Sequence, residues 1–282
     1  MRECNFLTEL QASSPLKGNG QPAPAVSVVV PVKNEAGNVA PLVAEIAAAL
    51  QNRTFEIVYV NDGSEDATEA ELLGLMEKLP YLRQIRHDKS FGQSAAVRTG
   101  VAMARGPIVV TLDGDCQNDP AYIPEMIAAL EAAPHVGLVA GQRVGRKSGS
   151  GTYKTIQSYI ANSVRRRVLN DGTRDTGCGM KAFRRDVFQS LPYFDGIHCF
   201  LPALVRREGF DIGYVDVVDR PRRLGTSNYG LWNRLWIGLL DMAGVWWLIR
   251  RRKHVPRPEE IRPSSSTARA PSFRQDRLSR GG

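Results

Sequence analysis

Two aspartates one residue apart follow an apolar run in this chain of 282 residues. The run Ile108–Leu112 is rich in β-branched residues, which predicts a buried strand, and Asp113 and Asp115 come directly after it. Buried carboxylates are unfavourable unless a cation or hydrogen bonds compensate them. Because open α/β sheets bind ligands at the carboxyl ends of their strands, the pair is placed to hold a hard divalent ion. The alternative is a solvated turn.

Two earlier predicted strands also end in polar residues. Val26–Pro31 precedes Asn34 and Glu35, and Phe55–Val60 precedes Asp62. Parallel strands bring their carboxyl ends to one edge of a sheet, so these side chains should lie near one another. The carboxylate of Asp62 can accept a hydrogen bond from the imino N–H of uracil or guanine, or it can be an ordinary turn residue. The first strand lacks the G-x-G-x-x-G of dinucleotide-binding folds.

Strand-like and helix-like segments alternate from residue 26 to residue 140, which predicts an α/β fold with a doubly wound, mostly parallel sheet. Further strands are predicted at Leu82–Arg86 and Val136–Ala140, and helices at Asn38–Leu50, Asp66–Leu79, Ser94–Arg105, Pro120–Ala132 and Tyr153–Leu169. Lys147–Thr152 is small and polar, which predicts a loop. The predicted organisation is a disordered segment at 1–25, one domain at 26–230, a helix at 231–253 and a disordered basic tail at 254–282.

The positive charge of the chain is concentrated at its end. The net charge is +8, and from Arg250 onward ten basic residues stand against three acidic ones. The domain is therefore nearly neutral, and with Phe273 as the tail's one aromatic residue we expect no nucleic-acid partner. The four cysteines lack metal-ligand spacing, which favours a reducing cytoplasm. Residues 1–25 contain no apolar segment of the kind a signal peptide needs.

Several short motifs follow one another in a fixed order. They are Pro31-x-x-Asn34-Glu35, Asn61-Asp62-Gly63-Ser64, Gly92-Gln93-Ser94-Ala95-Ala96, Asp113-Gly114-Asp115-x-Gln117-x-Asp119-Pro120, Gly141-x-Arg143, Asp175-x-Gly177-Cys178-Gly179-Met180-Lys181 and Arg220-Pro221-Arg222-x-x-Gly225-x-Ser227-x-Tyr229. Together they resemble the family 2 glycosyltransferases of the GT-A fold, and within these the polyprenyl-phosphate sugar synthases of the dolichol-phosphate mannosyltransferase type. The resemblance spans about Val26 to Gly230.

The resemblance implies a reaction and a set of residues for it. A sugar would pass with inversion from a nucleoside diphosphate to a polyprenyl phosphate, whose anionic oxygen needs no strong general base. The implied nucleotide-sugar site comprises Pro31, Asn34, Glu35, Asp62, Gly92, Gln93, Asp113 and Gly114. Asp113, Asp115 and Gln117 would hold Mg²⁺ or Mn²⁺ against the donor diphosphate. The implied catalytic residues are Asp113, Asp115, Arg143 and Arg222. The implied ligands of the acceptor phosphate are Arg143, Lys181, Arg222 and Ser227.

The alternative for Arg143, Lys181 and Arg222 is that they are ordinary charged surface residues. Two positions also depart from the family pattern: Ser90 stands where an asparagine is common, and Asn228 where the family has a lysine. The metal ligands are intact, so we expect activity, but the donor stays open between UDP and GDP. Glucose, mannose and an amino sugar are all compatible with the sequence.

All four tryptophans fall within Trp232–Trp247, and the basic run Arg250–Lys253 follows them. This pattern predicts an interfacial amphipathic helix at 231–253, docked peripherally on the cytoplasmic face of the inner membrane. Arg234, Gly238 and Asp241 would form a polar stripe opposite its apolar face. The alternatives are a helix packed on the core of the protein or at a homodimer interface. The apolar run Met242–Ile249 is too short to span a bilayer.

Two other functions are weighed against the leading hypothesis. A family 2 transferase acting on a glycan or lipopolysaccharide acceptor would need a carboxylate base, for which Asp175 or Asp195 could serve. A non-catalytic lipid- or nucleic-acid-binding module on a transferase fold would be expected to lose its metal ligands. Asp113, Asp115 and Gln117 are all present, which favours an enzyme.

Overall fold

The computed structural model describes residues 23–144, 168–169, 172–173, 175, 177–221 and 231–251. The predicted loop Lys147–Thr152, most of the predicted helix Tyr153–Leu169 and the tail at 254–282 lie outside this range. Arg222 and Ser227, two of the predicted phosphate ligands, also lie outside it.

The described residues form a mixed sheet with helices packed on both of its faces. The strands are β1 (Val26–Val32), β2 (Phe55–Asp62), β3 (Leu82–His87), β4 (Ile108–Thr111), β5 (Val136–Arg143), β6 (Lys181–Arg184) and β7 (Asp211–Val217). The helices are α1 (Val39–Ala49), α2 (Thr68–Met76), α3 (Gln93–Met103), α4 (Ile123–Glu131), α5 (Arg185–Gln189), α6 (Ile197–Arg207) and α7 (Leu231–Arg250).

The sheet has seven strands in the order β3-β2-β1-β4-β6-β5-β7. All neighbours are parallel except at β6, which runs antiparallel to both β4 and β5. The predicted fold class, an α/β doubly wound and mostly parallel sheet, is confirmed. The strand order reverses between β1 and β4, and the crevice at such a reversal is where α/β sheets bind ligands. Asp113 and Asp115 follow β4 at this point.

Alternate residues of the central strands point to opposite layers of the core. Val28 and Val30 of β1 pack into the layer that contains Ile46 of α1, whereas Val29 packs into the layer of Val101 from α3. A strand covered on both faces reads as a continuous apolar run, which explains why β1, β2 and β4 are recognisable in the sequence. These buried strands give the loops at their carboxyl ends a rigid base.

The second half of the domain was less predictable than the first. The sequence did not predict four of its elements, β6, β7, α5 and α6. Strand β6 lies between β4 and β5 in the sheet although it follows both in the chain. The predicted helix Pro120–Ala132 is a 3₁₀ turn at Pro120–Tyr122 followed by α4. Pro124 explains the irregular start, since it lacks the backbone N–H that a continuous helix would donate to the carbonyl oxygen of Pro120.

Helix α7 packs on the domain with one side and exposes large apolar side chains on the other. Val245 is buried in the core layer of α6, and Arg207 Nε donates to the carbonyl oxygen of Leu248 (3.0 Å). Trp247 is 53% exposed and Leu240 72%. Packing on the core of the protein, one of the alternatives above, therefore accounts for part of this helix. Among the described residues no helix is both long and apolar enough to cross a membrane.

Asp241 of α7, a member of the predicted polar stripe, is half-buried and faces the domain. A Cβ built on Gly196 would lie 2.9 Å from Asp241 Oδ2, so this carboxylate faces the turn before α6. Burial and the negative charge of Asp195 raise the pKa of Asp241.

Candidate active site

The polar residues predicted to share an edge of the sheet do so. Asp62 ends β2, Asp113 follows β4, and Lys181 begins β6 beside Thr111 of β4. Because β6 is antiparallel, its first residue lies at the same edge as the last residues of the parallel strands. The structure thus brings Lys181 to the carboxylates by an element that the sequence did not reveal.

Asp113 is fixed from three directions. Its Oδ1 accepts a hydrogen bond from Gln93 Nε2 at 2.8 Å, and its backbone N–H donates to Asn118 Oδ1 at 3.2 Å. On the third side stands Gly179, where an added Cβ would lie 2.2 Å from Asp113 Oδ2. The carboxylate therefore lies against backbone that has no side chain, and its orientation is set before any ligand binds.

The two aspartates of the pair repel each other electrostatically. Burial raises the pKa of Asp113 to about 6, and the charge of Asp115 adds to the shift, while Lys181 and Arg143 oppose it. Asp115 is only 6% exposed, and its Oδ1 accepts the backbone N–H of Gln117 at 3.1 Å. A cation between such groups would favour their ionised forms.

The donor atoms of this region suit a hard divalent cation. Asp113 and Asp115 offer carboxylate oxygens and Gln117 an amide oxygen, the ligand types that Mg²⁺ and Mn²⁺ prefer. Within the described ranges no three His, Cys, Asp or Glu side chains form a metal cluster. Mg²⁺ is commonly bound through one or two carboxylates, with water and substrate phosphates as its remaining ligands. The residues fit the predicted ion.

The turn after β1 is held by residues that follow β2. The backbone N–H of Asn34 donates to Ser64 Oγ at 3.0 Å, and the N–H of Glu35 donates to Thr68 Oγ1 at 2.9 Å. Asn34 has a φ of 57°, and its side-chain oxygen accepts the N–H of Glu65 at 2.8 Å. Asn34 and Glu35 are therefore part of a preformed turn beside the crevice, as their place in a nucleotide site requires.

Gly114 packs this turn onto the loop of the aspartates. A Cβ on Gly114 would lie 2.4 Å from Val32 Cγ1 and 3.3 Å from the carbonyl oxygen of Pro31. Only glycine allows this approach of the two chain segments. Pro31, Glu35 and Gly114 are consequently neighbours, in line with the predicted nucleotide pocket.

Asp62 binds the loop before α3. Its carboxylate accepts hydrogen bonds from the backbone N–H groups of Phe91 (2.9 Å) and Gly92 (2.8 Å) and from Ser90 Oγ (2.8 Å). His87 Nδ1 is a further partner at 2.7 Å. Both oxygens are thus occupied, and a nucleotide base could reach Asp62 only by replacing one of these donors. The contact of Asp62 with the base stays a prediction.

The ionised state of Asp62 is secured by the same bonds. Burial works to raise its pKa, but the hydrogen bonds from Phe91, His87, Ser90 and Gly92 outweigh it and hold the pKa below the usual range. Since an ionised carboxylate only accepts, Nδ1 of His87 donates to it, and Nε2 of the same ring lies 3.0 Å from Thr99 Oγ1. Ser90, the departure from the family asparagine, is one of the donors.

The predicted phosphate ligands are engaged with the protein itself. Arg143 forms a two-point pair with Asp175, with Nη2 to Oδ1 at 2.8 Å, and its Nη1 lies 3.2 Å from Asp219 Oδ2. Lys181 is 4% exposed and its Nζ donates to the carbonyl oxygen of Cys178. A phosphate would therefore join existing ion pairs at Arg143, and the assignment of both residues to the acceptor stays a prediction.

A set of charged contacts around the aspartate loop was not anticipated. Asp219 and Arg220, two and three residues after the end of β7, contact residues of that loop, and Arg220 also contacts α1. Arg220 stood within a recognised motif, but its partners are about 100 residues or more away in the chain. No local pattern in the sequence joins such residues, so only the fold reveals them.

Comparisons with known proteins identify the family of this chain. The model of glycosyl transferase family 2 matches residues 27–191. Dodecaprenyl-phosphate galacturonate synthase of Rhizobium johnstonii is 35% identical over 84% of this chain and 71% of its own length. Undecaprenyl-phosphate 4-deoxy-4-formamido-L-arabinose transferase of Pectobacterium carotovorum is 31% identical over 72% of this chain. The match covers 62% of that relative, which is less than two thirds of its length.

Solved structures share the fold. Glucosyl-3-phosphoglycerate synthase from Mycobacterium tuberculosis, in complex with Mn²⁺, UDP and glucosyl-3-phosphoglycerate, superposes with a TM-score of 0.60 at 17% identity, covering 86% of this chain and 82% of that one. The same enzyme with Mg²⁺ and UDP gives a TM-score of 0.60 at 20% identity, covering 84% and 82%. With a family model that matches more than half of its residues, and a GT-A architecture, the chain belongs to glycosyl transferase family 2.

Proposed function

We propose that this enzyme transfers a sugar, with inversion, from a nucleoside diphosphate to a polyprenyl phosphate in a reaction that depends on Mg²⁺ or Mn²⁺. The observation that carries the proposal is the pair Asp113, which is half-buried, and Asp115, which is buried, at the reversal of the strand order, in a chain whose relatives act on polyprenyl phosphates. The polyprenyl phosphate sugar formed would supply cell-envelope glycan modification.

The residues around the crevice divide into a donor side and an acceptor side. Asp113, Asp115 and Gln117 would hold the ion, and Gln93 keeps the carboxylate of Asp113 directed toward it. The bound ion would offset negative charge that accumulates on the departing nucleoside diphosphate. The turn of Asn34 and Glu35 would support the nucleotide, whose uracil or guanine base is expected near Asp62.

The acceptor side needs positive charge more than a base. A phosphate monoester is already anionic at neutral pH, so catalysis depends on holding its oxygen in line with the bond that breaks. Arg143, Lys181, Arg222 and Ser227 are proposed for this role. Arg143 is kept charged by Asp175 and Asp219, which raise its pKa, and a phosphate can compete with either carboxylate for its guanidinium group.

The lipid acceptor requires access to a membrane surface, for which α7 is proposed. Trp247 and Leu240 are exposed on this helix, and Arg250 and Arg251 lie over the rings of Trp246 and Trp247 at 4.0 and 5.8 Å. Indole rings beside basic groups suit the headgroup region of an anionic leaflet. We place the enzyme peripherally on the cytoplasmic face of the inner membrane. The same exposed face is compatible with a homodimer.

A transfer assay tests the reaction. Radiolabelled UDP-galacturonate, UDP-glucose, UDP-N-acetylglucosamine and GDP-mannose are each supplied with undecaprenyl phosphate and Mn²⁺. We expect one donor to label the lipid phase, and EDTA to stop the labelling. Donor binding without lipid labelling would point to a glycan or lipopolysaccharide acceptor, and no binding of any donor to a non-catalytic module.

A substitution at the metal pair provides the first test of the site. Asp115→Asn keeps the volume of the side chain but removes its charge, and we expect at least a hundredfold loss of transfer, the upper range for altered metal sites. Asp211→Asn is the matched control, because Asp211 lies at the opposite end of β7 with its side chain 68% exposed. Full transfer by Asp115→Asn would refute the metal assignment.

A further inference from the structure

The loop Asp113–Asp119, called the metal loop below, contains all three proposed metal ligands but belongs to no strand or helix. Its residue Cys116 has a φ of 59°, which a residue other than glycine adopts only when its surroundings impose it. The proposed ligands also carry two like charges that repel each other. Contacts from outside must therefore hold the loop in shape.

Arg220 supplies the most extensive of these contacts. Its backbone N–H donates to the carbonyl oxygen of Gln117 at 2.8 Å. Its guanidinium group pairs with Asp119 Oδ1 at 2.7 Å and, on the other side, with Glu45 Oε2 at 2.6 Å. Since Glu45 belongs to α1, a helix packed on the sheet, Arg220 ties the metal loop to the rigid part of the domain.

Asp219, the residue before Arg220, also contacts the metal loop. Asn118 Nδ2 lies 3.4 Å from Asp219 Oδ1, and the other oxygen of Asp219 pairs with Arg143 at 3.2 Å. Asn118 is in turn the acceptor for the backbone N–H of Asp113. Asp219 and Arg220 thus contact three successive residues of the metal loop, Gln117, Asn118 and Asp119, and Asn118 extends the connection to Asp113.

We propose that Arg220 is a positioning residue that holds the metal loop in its cation-binding shape. It acts through the backbone of Gln117 and the side chain of Asp119. The inference rests on the proposed use of a divalent cation. It adds a residue that connects α1, the metal loop and the segment leading to Arg222 and Ser227.

The test measures Mn²⁺ binding directly. Free Mn²⁺ is followed by electron paramagnetic resonance in the presence of UDP, with no acceptor, for the wild type, Arg220→Ala and Arg220→Lys. We expect Arg220→Ala to raise the Kd for Mn²⁺ about tenfold, as for other groups that orient metal ligands. Arg220→Lys should lie in between, because an ammonium group cannot span both carboxylates as a guanidinium group does.

Arg53→Ala is the matched control. Arg53 forms a two-point ion pair with Glu131, at 2.7 and 2.8 Å, that involves neither the metal loop nor β7. It should leave the Kd for Mn²⁺ unchanged. Activity gives a second measurement. For Arg220→Ala we expect a higher KM for Mn²⁺ and a transfer rate that returns to the wild-type value at high Mn²⁺ concentration. A general loss of folded protein would lower the rate at every Mn²⁺ concentration.

The outcomes separate this inference from the proposed function. If the wild type binds Mn²⁺ and UDP but both Arg220 variants bind with wild-type Kd, the positioning role is refuted and the proposed reaction stands. If Arg220→Ala does not fold, the Kd of Arg220→Lys for Mn²⁺ is used instead, and a wild-type Kd in that variant refutes the positioning role. A wild type that does not bind Mn²⁺ in the presence of UDP would overturn the metal proposal and this inference with it.

Discussion

At the scale of single residues, the site depends on groups that give Asp113 one orientation. Gln93 binds it from α3, and Gly179 leaves the space that its carboxylate fills. Neither neighbour is titratable, so packing and a hydrogen bond from a neutral amide orient the carboxylate, while Asn118 accepts the backbone N–H of Asp113. Its raised pKa then follows from burial and from Asp115, and a cation is the natural partner of such a pair.

The first prediction concerns Gly179. A Cβ at this position would lie 2.2 to 2.5 Å from the carboxylate atoms of Asp113, so Gly179→Ala must displace that side chain. We expect a loss of Mn²⁺ affinity of about tenfold or more, judged from groups that orient metal ligands. Gly74→Ala is the control, since nothing lies within 4 Å of its added Cβ. Equal Mn²⁺ binding by both variants would show that Asp113 is not a ligand.

The second prediction separates two roles of Asp62. If it holds the loop before α3, Asp62→Asn leaves several buried donors competing for one oxygen and should lower the free energy of unfolding by about 2 kcal/mol. If it serves only the base, stability is unchanged and only the KM for the donor rises. Urea denaturation together with donor kinetics distinguishes the two, and an unchanged urea midpoint would contradict the holding role.

At the scale of elements, the sequence was most informative where strands are buried on both faces. β1, β2 and β4 are continuous apolar runs, and polar residues after them marked the correct edge of the sheet. β6 has only four residues, Lys181–Arg184, and its place beside β4 depends on pairing across some 70 positions of the chain. No periodicity in the sequence encodes such a pairing, so the position of Lys181 beside β4 could not be predicted.

The same limit applies to the contacts of the predicted site residues. The sequence identified Asp62 as a polar residue at a strand end, and the family resemblance implied a role for Arg143. Neither revealed that the loop before α3 already binds Asp62, or that Asp175 and Asp219 already bind Arg143. These partners come together only after the sheet has formed. Sequence patterns thus located the candidate site, and tertiary packing determined which of its side chains are held by neighbours.

The third prediction concerns the junction of α3 and α6. Ser94 Oγ lies 2.7 Å from His198 Nδ1, and burial, helped by the charge of Lys181 and opposed by that of Asp195, lowers the pKa of His198 to about 4. The folded state therefore resists protonation. The stability that this contributes is present above pH 6.5 and is lost as the pH falls from 6.5 toward 4.

The measurement is the free energy of unfolding between pH 7 and pH 5. From these pKa values the wild type should lose about 2 kcal/mol through His198, and His198→Gln should lose correspondingly less. His135→Gln is the control, because the side chain of His135 is 69% exposed. If the free energy of unfolding of His198→Gln falls with pH as steeply as that of the wild type, another group causes the acid sensitivity.

At the scale of the whole molecule, α7 connects the exposed apolar surface to the crevice. Asp241 of α7 faces Gly196, the backbone N–H of Gly196 donates to Ser94 Oγ at 2.9 Å, and the neighbouring Gln93 binds Asp113. A helix that holds a lipid surface would therefore be joined by direct contacts to the residue that orients the metal pair. Deleting α7 would expose core residues around Val245, so a surface substitution is the better test of membrane binding.

The fourth prediction is that Trp247 binds anionic membranes. Its indole is 53% exposed with Arg251 above the ring, so it can enter the headgroup region while the guanidinium group meets lipid phosphate. We expect Trp247→Ser to weaken co-sedimentation with phosphatidylglycerol vesicles about tenfold, as loss of one buried large apolar side chain implies. Leu73→Ser is the matched control, because Leu73 is equally exposed, at 53%, on α2. Wild-type binding should also weaken as salt is raised. Equal binding by both variants, or binding indifferent to salt, would place the membrane contact elsewhere.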